Sequence, residues 1–299
     1  MREAKRCGIF ALIFTFFVII AKYCNHNYNF LSGRYIEFNI HSLSYPEFLH
    51  FRKLSDSDES ILKFIHYGGL PHLSRLSPEQ DIQMEYLQNI ISTIIYKDVV
   101  QRFGIRNTRF LDQLVRFFAD NTGSLFSAKR ISDFLKSQKI RISHNQVQAY
   151  AGYLCNSFLI DRVERYDIVG KRIFESGEKF YFRDTGIRNA IAGYKPEDIN
   201  KLLENVVYNH LSYCGYSMNT GKSGEMEIDF IAEKKAEKIY IQVCYRLDSP
   251  GTIEREFGNL KRIHDNYPKM VVTFDNTIKN TSDGIRQINI REFLLNHNP

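Results

Sequence analysis

The sequence predicts a multidomain chain of mixed α+β and α/β class, helical in its first part and built on a mixed sheet after residue 190. Three observations predict this. Between residues 78 and 156 apolar side chains recur every three or four positions, the period of a helix with one buried face. From residue 162 onward apolar runs of strand length, alternating or continuous, are separated by Gly, Asn, Asp and Lys, the pattern of strands and turns. With 43% apolar residues over 299 positions and no repeat or low-complexity tract, the chain can bury two or three cores.

Residues 1–30 form an apolar N-terminal segment. Arg2, Lys5 and Arg6 precede an uncharged run at 7–21, CGIFALIFTFFVIIA, which has the form of a signal peptide or a short signal anchor. It is shorter than the about 20 apolar residues of a spanning helix, Lys22 ends it, and no A-x-A site follows. Membrane contact of residues 7–21 and an accidental lead-in both stay open. Residues 31–96 read as a helical region. A strand is expected over Tyr35 to Ile40, then a helix capped by Ser44 with Glu47 three residues on, a capping box. A polar loop at 55–59 and a turn at Gly68-Gly69 and Pro71 follow. From Pro78 to Phe103 the positions Ile82, Tyr86, Ile90, Ile91, Ile94, Ile95 and Val99 mark the inner face of a long helix.

Residues 97–189 hold three helices and two strands. The helices span Thr108 to Asn121 (Leu111, Leu114, Val115 and Phe118 inward), Ser127 to Lys136 with Ser127 as cap, and a stretch opening at Ser143. Alternating strands at Arg162–Val169 and Arg172–Asp184 flank Gly170-Lys171. That order is the order of a winged helix-turn-helix, whose third helix can enter a major groove. The net charge of the chain is +6, yet this segment alone carries 17 Lys or Arg against 10 Asp or Glu, leaving −1 for the rest. A polyanion partner is therefore sought here. Lys129, Arg130, Lys136, Lys139 and Arg141, with Lys171 and Arg172 at the hairpin tip, are the candidates for phosphate contacts. His144, Asn145, Gln146 and Gln148 on the third helix have side chains that can read base edges. DNA is the expected partner. A protein partner stays open, because winged helices also dock proteins.

Residues 190–299 read as α-β-β-β-α-β, an α/β domain with a mixed sheet. A helix from Lys201 to Tyr213 carries Glu204. The strands in EIDFIAEK and KIYIQVCYRL carry Asp229 and Gln242. Asp followed at this spacing by Glu-x-Lys is the pattern of a metal-dependent nuclease of the restriction-endonuclease type. Here Gln242-Val243-Cys244 stands in its place. Glu204, Asp229 and Gln242 are the candidate degenerate nuclease set. Glu204 and Asp229 are the metal ligands, for Mg²⁺ if such a site is active, and Gln242 offers a neutral oxygen. Cys244 cannot replace an ammonium, although Lys222 or Lys234 can approach from outside the motif. The GKS at 221–223 is no phosphate loop, because Tyr216 stands where that motif needs Gly and a strand follows. Five cysteines without a CxxC pair fit a reducing compartment, and nine histidines without HExxH or HxH give no zinc pattern.

The series LSGRYIEF, YPEFLHF, HYGGLPHL, IIYKDVVQRFGIRN, DNTGSLFSAKRISDFLK, ERYDIVGKRIF, EKFYFRDTGIRNAIAGY, ENVVYNHLSYCGY, GEMEIDFIAEK and KIYIQVCYRL resembles the C-terminal part of a prokaryotic family of AAA-superfamily ATPases. In that family the second half is a domain of unknown function with a winged helix and a restriction-endonuclease-like end. The resemblance runs from about residue 31 to 296. It implies an ATPase core before LSGRY, of which the 30 preceding residues carry no motif, and a nucleotide-proximal role for Arg34 where a core is present. IQVxY, with Gln and without Lys, is similar to the usual form in this branch, which implies a domain kept for binding. The expectation is then a non-catalytic ATPase derivative, cytoplasmic or membrane-associated through its N-terminus, that binds nucleic acid or protein, hydrolyses no ATP and needs no cofactor. A residual metal-dependent nuclease and a membrane-tethered interaction protein are the alternatives.

Overall fold

The structure, a computed structural model, describes residues 39–77, 79–168, 170, 172–173, 177–224, 226–275 and 284–296. The chain divides into two compact units, Met1–Ile40 and His41–Pro299. The first lies almost wholly outside the described residues, as do the run at 7–21, Arg34 and most of the strand expected at Tyr35–Ile40. Everything below concerns the second unit, within which the expected boundaries at 96/97 and 189/190 both fall. Among the described residues no helix is long and apolar enough to cross a membrane.

The first helices are set by their caps. Helix α1 (Tyr45–Arg52) starts at the Ser44 box, where the Glu47 carboxylate accepts the Ser44 N–H at 2.9 Å. Helix α2 (Asp58–Tyr67) is capped by Ser57. The expected long helix comes in two parts, α3 (Gln80–Thr93) and a π-helical stretch from Ile94 to Gln101. Its buried positions are Gln83, Leu87, Ile91, Ile95 and Val99, one every four residues. On an α-helix such a row drifts by about 40° per step, so wider turns hold it against the core. Ile82, expected inside, is exposed, because it lies beside that row and not on it.

Helices α4 (Thr108–Asp120), α5 (Ala128–Ser137) and α6 (His144–Asn156) follow the expected order. Asn107, Ser127 and Ser143 cap them through N–H groups three residues on, and Leu111, Leu114, Val115 and Phe118 are buried as expected. The strand pair differs from expectation. Strand β1 (Ile160–Asp167) faces two separate strands, β2 (Arg172–Ile173) and β3 (Lys179–Phe182), because Gly177, at φ +90°, interrupts the extended backbone. An extended piece between α4 and α5 adds to β3 through Leu125 and through the Phe126 N–H, which bonds Glu178 at 2.8 Å.

Strand β1 also belongs to the sheet of the α/β part, which the sequence did not reveal. It runs parallel to β4 (Ser217–Ser223), with Glu164 opposite Asn219 and Asp167 opposite Lys222. The sheet continues through β5 (Met226–Lys234), β6 (Glu237–Cys244), β7 (Lys269–Thr273) and β8 (Ile285–Asn289), in the order β2-β1-β4-β5-β6-β7-β8, with β3 on β1. Helix α8 (Ile199–Tyr213) covers one face, packing Leu202, Leu203, Val206 and Val207 on Phe230, Ile241 and Val272. Helix α9 (Pro250–Lys261) covers the other, packing Phe257 and Leu260 on Ile228, Tyr240 and Val271. Helix α10 (Ile290–Leu295) closes the chain. Strands with apolar side chains on both faces need such cover, which explains the unbroken runs IYIQVC and MVVTF.

Two buried polar side chains join the helical part to the sheet part. Arg188 on α7 (Thr185–Ala192), a helix the sequence reading missed, has no exposure. It donates to Ala119 O at 2.7 Å and pairs with Asp198, just before α8. Asn205 of α8 accepts from the Phe182 N–H at 2.9 Å and from Thr122 Oγ1 at 2.8 Å, and donates to Phe182 O at 2.7 Å. Removing one partner of a buried polar pair costs about 1–3 kcal/mol for each group left unsatisfied. Asn205→Ala orphans the Phe182 N–H and carbonyl together, while the Thr122 hydroxyl keeps Phe180 O at 3.3 Å, so a loss of about 2–4 kcal/mol is expected in urea unfolding. A loss below about 0.5 kcal/mol, the scale of a surface substitution, would show that this pin carries little.

Candidate functional site

The sheet brings the three residues of the degenerate nuclease set together and adds four the sequence reading did not name. Glu204 projects from α8, Asp229 lies on β5 and Gln242 on β6. Into their midst comes the Lys179 ammonium from β3, 2.8 Å from Glu227, 3.0 Å from Glu204 and 3.9 Å from Asp229. Lys179 is only 3% exposed. The Tyr181 hydroxyl donates to the same Glu204 oxygen at 2.6 Å. Gly123, at φ +72°, passes so close that a Cβ there would lie 3.3 Å from the Glu204 carboxylate. The ammonium within the cluster is thus that of Lys179, a strand away from the Lys222 and Lys234 considered from sequence. Lys234 instead lies over the Tyr216 ring.

Hydrogen bonds already use the groups that a metal would need. Gln242 Oε1 accepts the Asp229 backbone N–H at 2.7 Å, and its amide donates to Glu256 at 3.0 Å. Glu256, buried on α9, also pairs with Arg255 at 2.7 Å. Asp229 Oδ2 accepts the Val243 N–H at 2.9 Å. The neutral oxygen expected of Gln242 is therefore committed inside the protein. Among the described residues no group of three or more His, Cys, Asp and Glu is arranged to hold a metal ion. As they stand, Gln242 Oε1 and Asp229 Oδ2 are occupied by backbone N–H groups, while the Lys179 ammonium beside Glu204 and Glu227 supplies the lysine that the degenerate motif lacks.

Electrostatics agree with this geometry. Burial works against a charged Lys179, but Glu204, Asp229 and Glu227 outweigh it and raise the ammonium above the ordinary lysine range. Burial, then the Glu204 carboxylate, hold Asp229 well above the usual carboxylate range, against Lys179 and the Val243 N–H. Tyr181 is pushed up by burial and by Glu204. Burial also raises the thiols of Cys155, to about 12, and Cys244, to about 11, and among the described residues all three cysteines are free. None has the lowered pKa of a reactive thiol.

The expected nucleic-acid candidates lie on a separate surface. Lys129, Arg130 and Lys136 on α5, Lys139 and Arg141 in the turn, and His144, Asn145, Gln146 and Gln148 at the start of α6 are all exposed. Gln146 is partly spent on the α6 capping box, where its oxygen accepts the Ser143 N–H at 3.0 Å. Lys171 lies outside the described residues. Arg172 is placed by its backbone pairing with Asp167.

No signal in chain order could have found Lys179, since its partners lie on elements that only the fold brings near. A hint was a lysine on the strand KFYF, all four of whose residues are buried, because a buried lysine requires a partner.

Residues 58–198 match the family model described as a domain of unknown function, DUF8612. The chain is similar to an uncharacterized protein of Haemophilus influenzae, 34% identical over 269 residues, covering 89% of this chain and 66% of that protein. It is also similar to an uncharacterized protein of Methanocaldococcus jannaschii, 29% identical over 241 residues, covering 76% of this chain and 53% of that one. The chain therefore spans between about half and two thirds of the length of these relatives. The protein VC1899 from Vibrio cholerae, of which a crystal structure is known, aligns with a TM-score of 0.26 at 13% identity, over 75% of this chain and 58% of that one. At that score nothing is built on it.

The raised pKa of Asp229 has a consequence with a definite sign. The folded state holds this proton more tightly than the unfolded chain does. The associated stability is full below the unfolded value near about 4 and is lost as pH rises through the folded value. Asp229→Asn carries no titrating group, so wild type is expected to lose stability relative to the variant as pH rises above about 4, read from paired urea midpoints. A difference of opposite sign would mean that the fold holds Asp229 ionised.

Proposed function

We propose that this protein is a non-catalytic nucleic-acid-binding module that contacts a phosphate backbone through the α5–α6 face. The observation that carries the reading is the set of five exposed cations, Lys129, Arg130, Lys136, Lys139 and Arg141, none of which forms an ion pair among the described residues. Five exposed positive charges on α5 and the turn that follows it attract a polyanion and release its counterions on binding. Three helices, a strand pair and an extended segment joined to it support a winged-helix use of α6, with His144, Asn145 and Gln148 toward base edges. The nuclease-like cluster supports the non-catalytic part, because Gln242 Oε1 and Asp229 Oδ2 are spent on backbone N–H groups within the protein.

Fluorescence anisotropy of a labelled duplex titrated with the full chain over a salt series tests this. Binding is expected to weaken steeply with salt. Each of Lys129→Ala, Arg130→Ala, Lys139→Ala and Arg141→Ala should reduce the log–log slope by about one if that residue meets a phosphate. No binding at low salt would assign the face to a protein partner. Cleavage of DNA in Mg²⁺ or Mn²⁺, abolished by Asp229→Ala, would overturn the non-catalytic reading in favour of a nuclease.

A further inference from the structure

We infer that the α5 face takes nucleic acid as a single strand, with an unpaired base stacked on Phe134; the inference rests on the binding function proposed above. Phe134 is 64% exposed, the highest value among the exposed large apolar side chains of the described residues. Nothing in the fold requires it there. The buried face of α5 is filled by Ala128, Ser132 and Leu135. Several other exposed rings have a partner in the protein itself. Phe158, for example, lies under the Arg183 guanidinium at 4.7 Å. Among the described residues no ring or cation packs on Phe134.

The surroundings of Phe134 match one ligand chemistry. Arg130, four residues earlier, shares its stripe of the helix. Lys129 and Lys136 are exposed as well but lie on the other flank of the helix, about 140–160° round from Phe134, with the exposed Asp133 between, and Lys139 and Arg141 follow in the turn. A cationic track beside a bare aromatic face is the pairing that holds a single strand, the cations on phosphates and the ring under a base. A duplex offers it less. Its bases are already stacked on each other, and a phenyl ring has no donor or acceptor for the edges displayed in a groove. A protein partner would cover the ring but would not explain Arg130 on its stripe and the exposed cations of the turn that follows.

The test is anisotropy with the full chain on two probes, a labelled oligothymidine and a labelled blunt duplex of equal length. Wild type is expected to prefer the oligothymidine. Phe134→Ala and Phe134→Leu should each weaken oligothymidine binding by about tenfold and leave duplex binding within about twofold, while Phe134→Tyr, which keeps the ring, retains it. An unchanged urea midpoint shows that each variant folds. Duplex binding with no effect of Phe134→Ala on the oligothymidine, or an equal loss on both probes, overturns the inference and leaves the binding function standing. Binding of neither probe at low salt overturns both.

Discussion

A single buried ammonium ties this fold together. Lys179 comes from β3, which completes the helical part, and ends against Glu204 on α8 and Glu227 on β5. Taking a charge out of water costs several kcal/mol, which is offset only when opposite charges and hydrogen bonds surround it. Here Glu204 and Glu227 stand within 3.0 Å of the ammonium, and Tyr181 donates to the same Glu204 oxygen, so the cluster exists only when α8, β3 and β5 are folded together. Arg188 and Asn205 repeat the device nearby, binding α4 to the turn before α8 and α8 to β3. Apolar packing supplies the bulk of the stability, because the cores of α4–α6 and of α8 on the sheet are large. The polar pins supply the register, since a misplaced apolar side chain loses little while an unpaired buried cation loses much.

The same arrangement separates two surfaces that the sequence presents as one question. An acid cluster beside a strand suggests metal chemistry, and a basic stretch suggests nucleic acid. In the fold the acids face inward and are answered by Lys179, by the Gln242 amide and by backbone N–H groups. The cations of α5 and its turn face outward and are not answered by acids among the described residues. The sheet end can therefore hold its shape without an ion, while the helical end keeps free charge for a partner.

Local pattern was legible in the sequence and long-range pairing was not. Ser44, Ser127 and Ser143 announced helix starts because a cap is a contact between residues three apart. The buried rows of α4 and the strands of the sheet followed from period alone. The four-residue spacing of α3 was visible too, yet reading it as an ordinary helix put Ile82 inside. Helix α7 was lost because TGIRNAIA follows a strand directly and is short. The parallel pairing of β1 with β4 joins residues far apart in sequence, and no local signal fixes such a register. In the site, Glu204, Asp229 and Gln242 were legible from spacing, but Lys179 was not, because its role depends on β3 lying beside α8 and β5.

The most direct test is a double-mutant cycle between Lys179 and Glu204, with Lys179→Met, Glu204→Gln and the double variant unfolded in urea. Lys179→Met leaves Glu204 and Glu227 without their ammonium and is expected to cost about 3–5 kcal/mol, while Glu204→Gln leaves Lys179 its Glu227 partner at 2.8 Å and is expected to cost less. The double variant should cost much less than the two together, leaving a coupling of about 2 kcal/mol or more, within the range seen for residues in contact. Costs that simply add would show that Lys179 and Glu204 do not depend on one another, and would contradict the account of the cluster as a closed, self-neutralised pin.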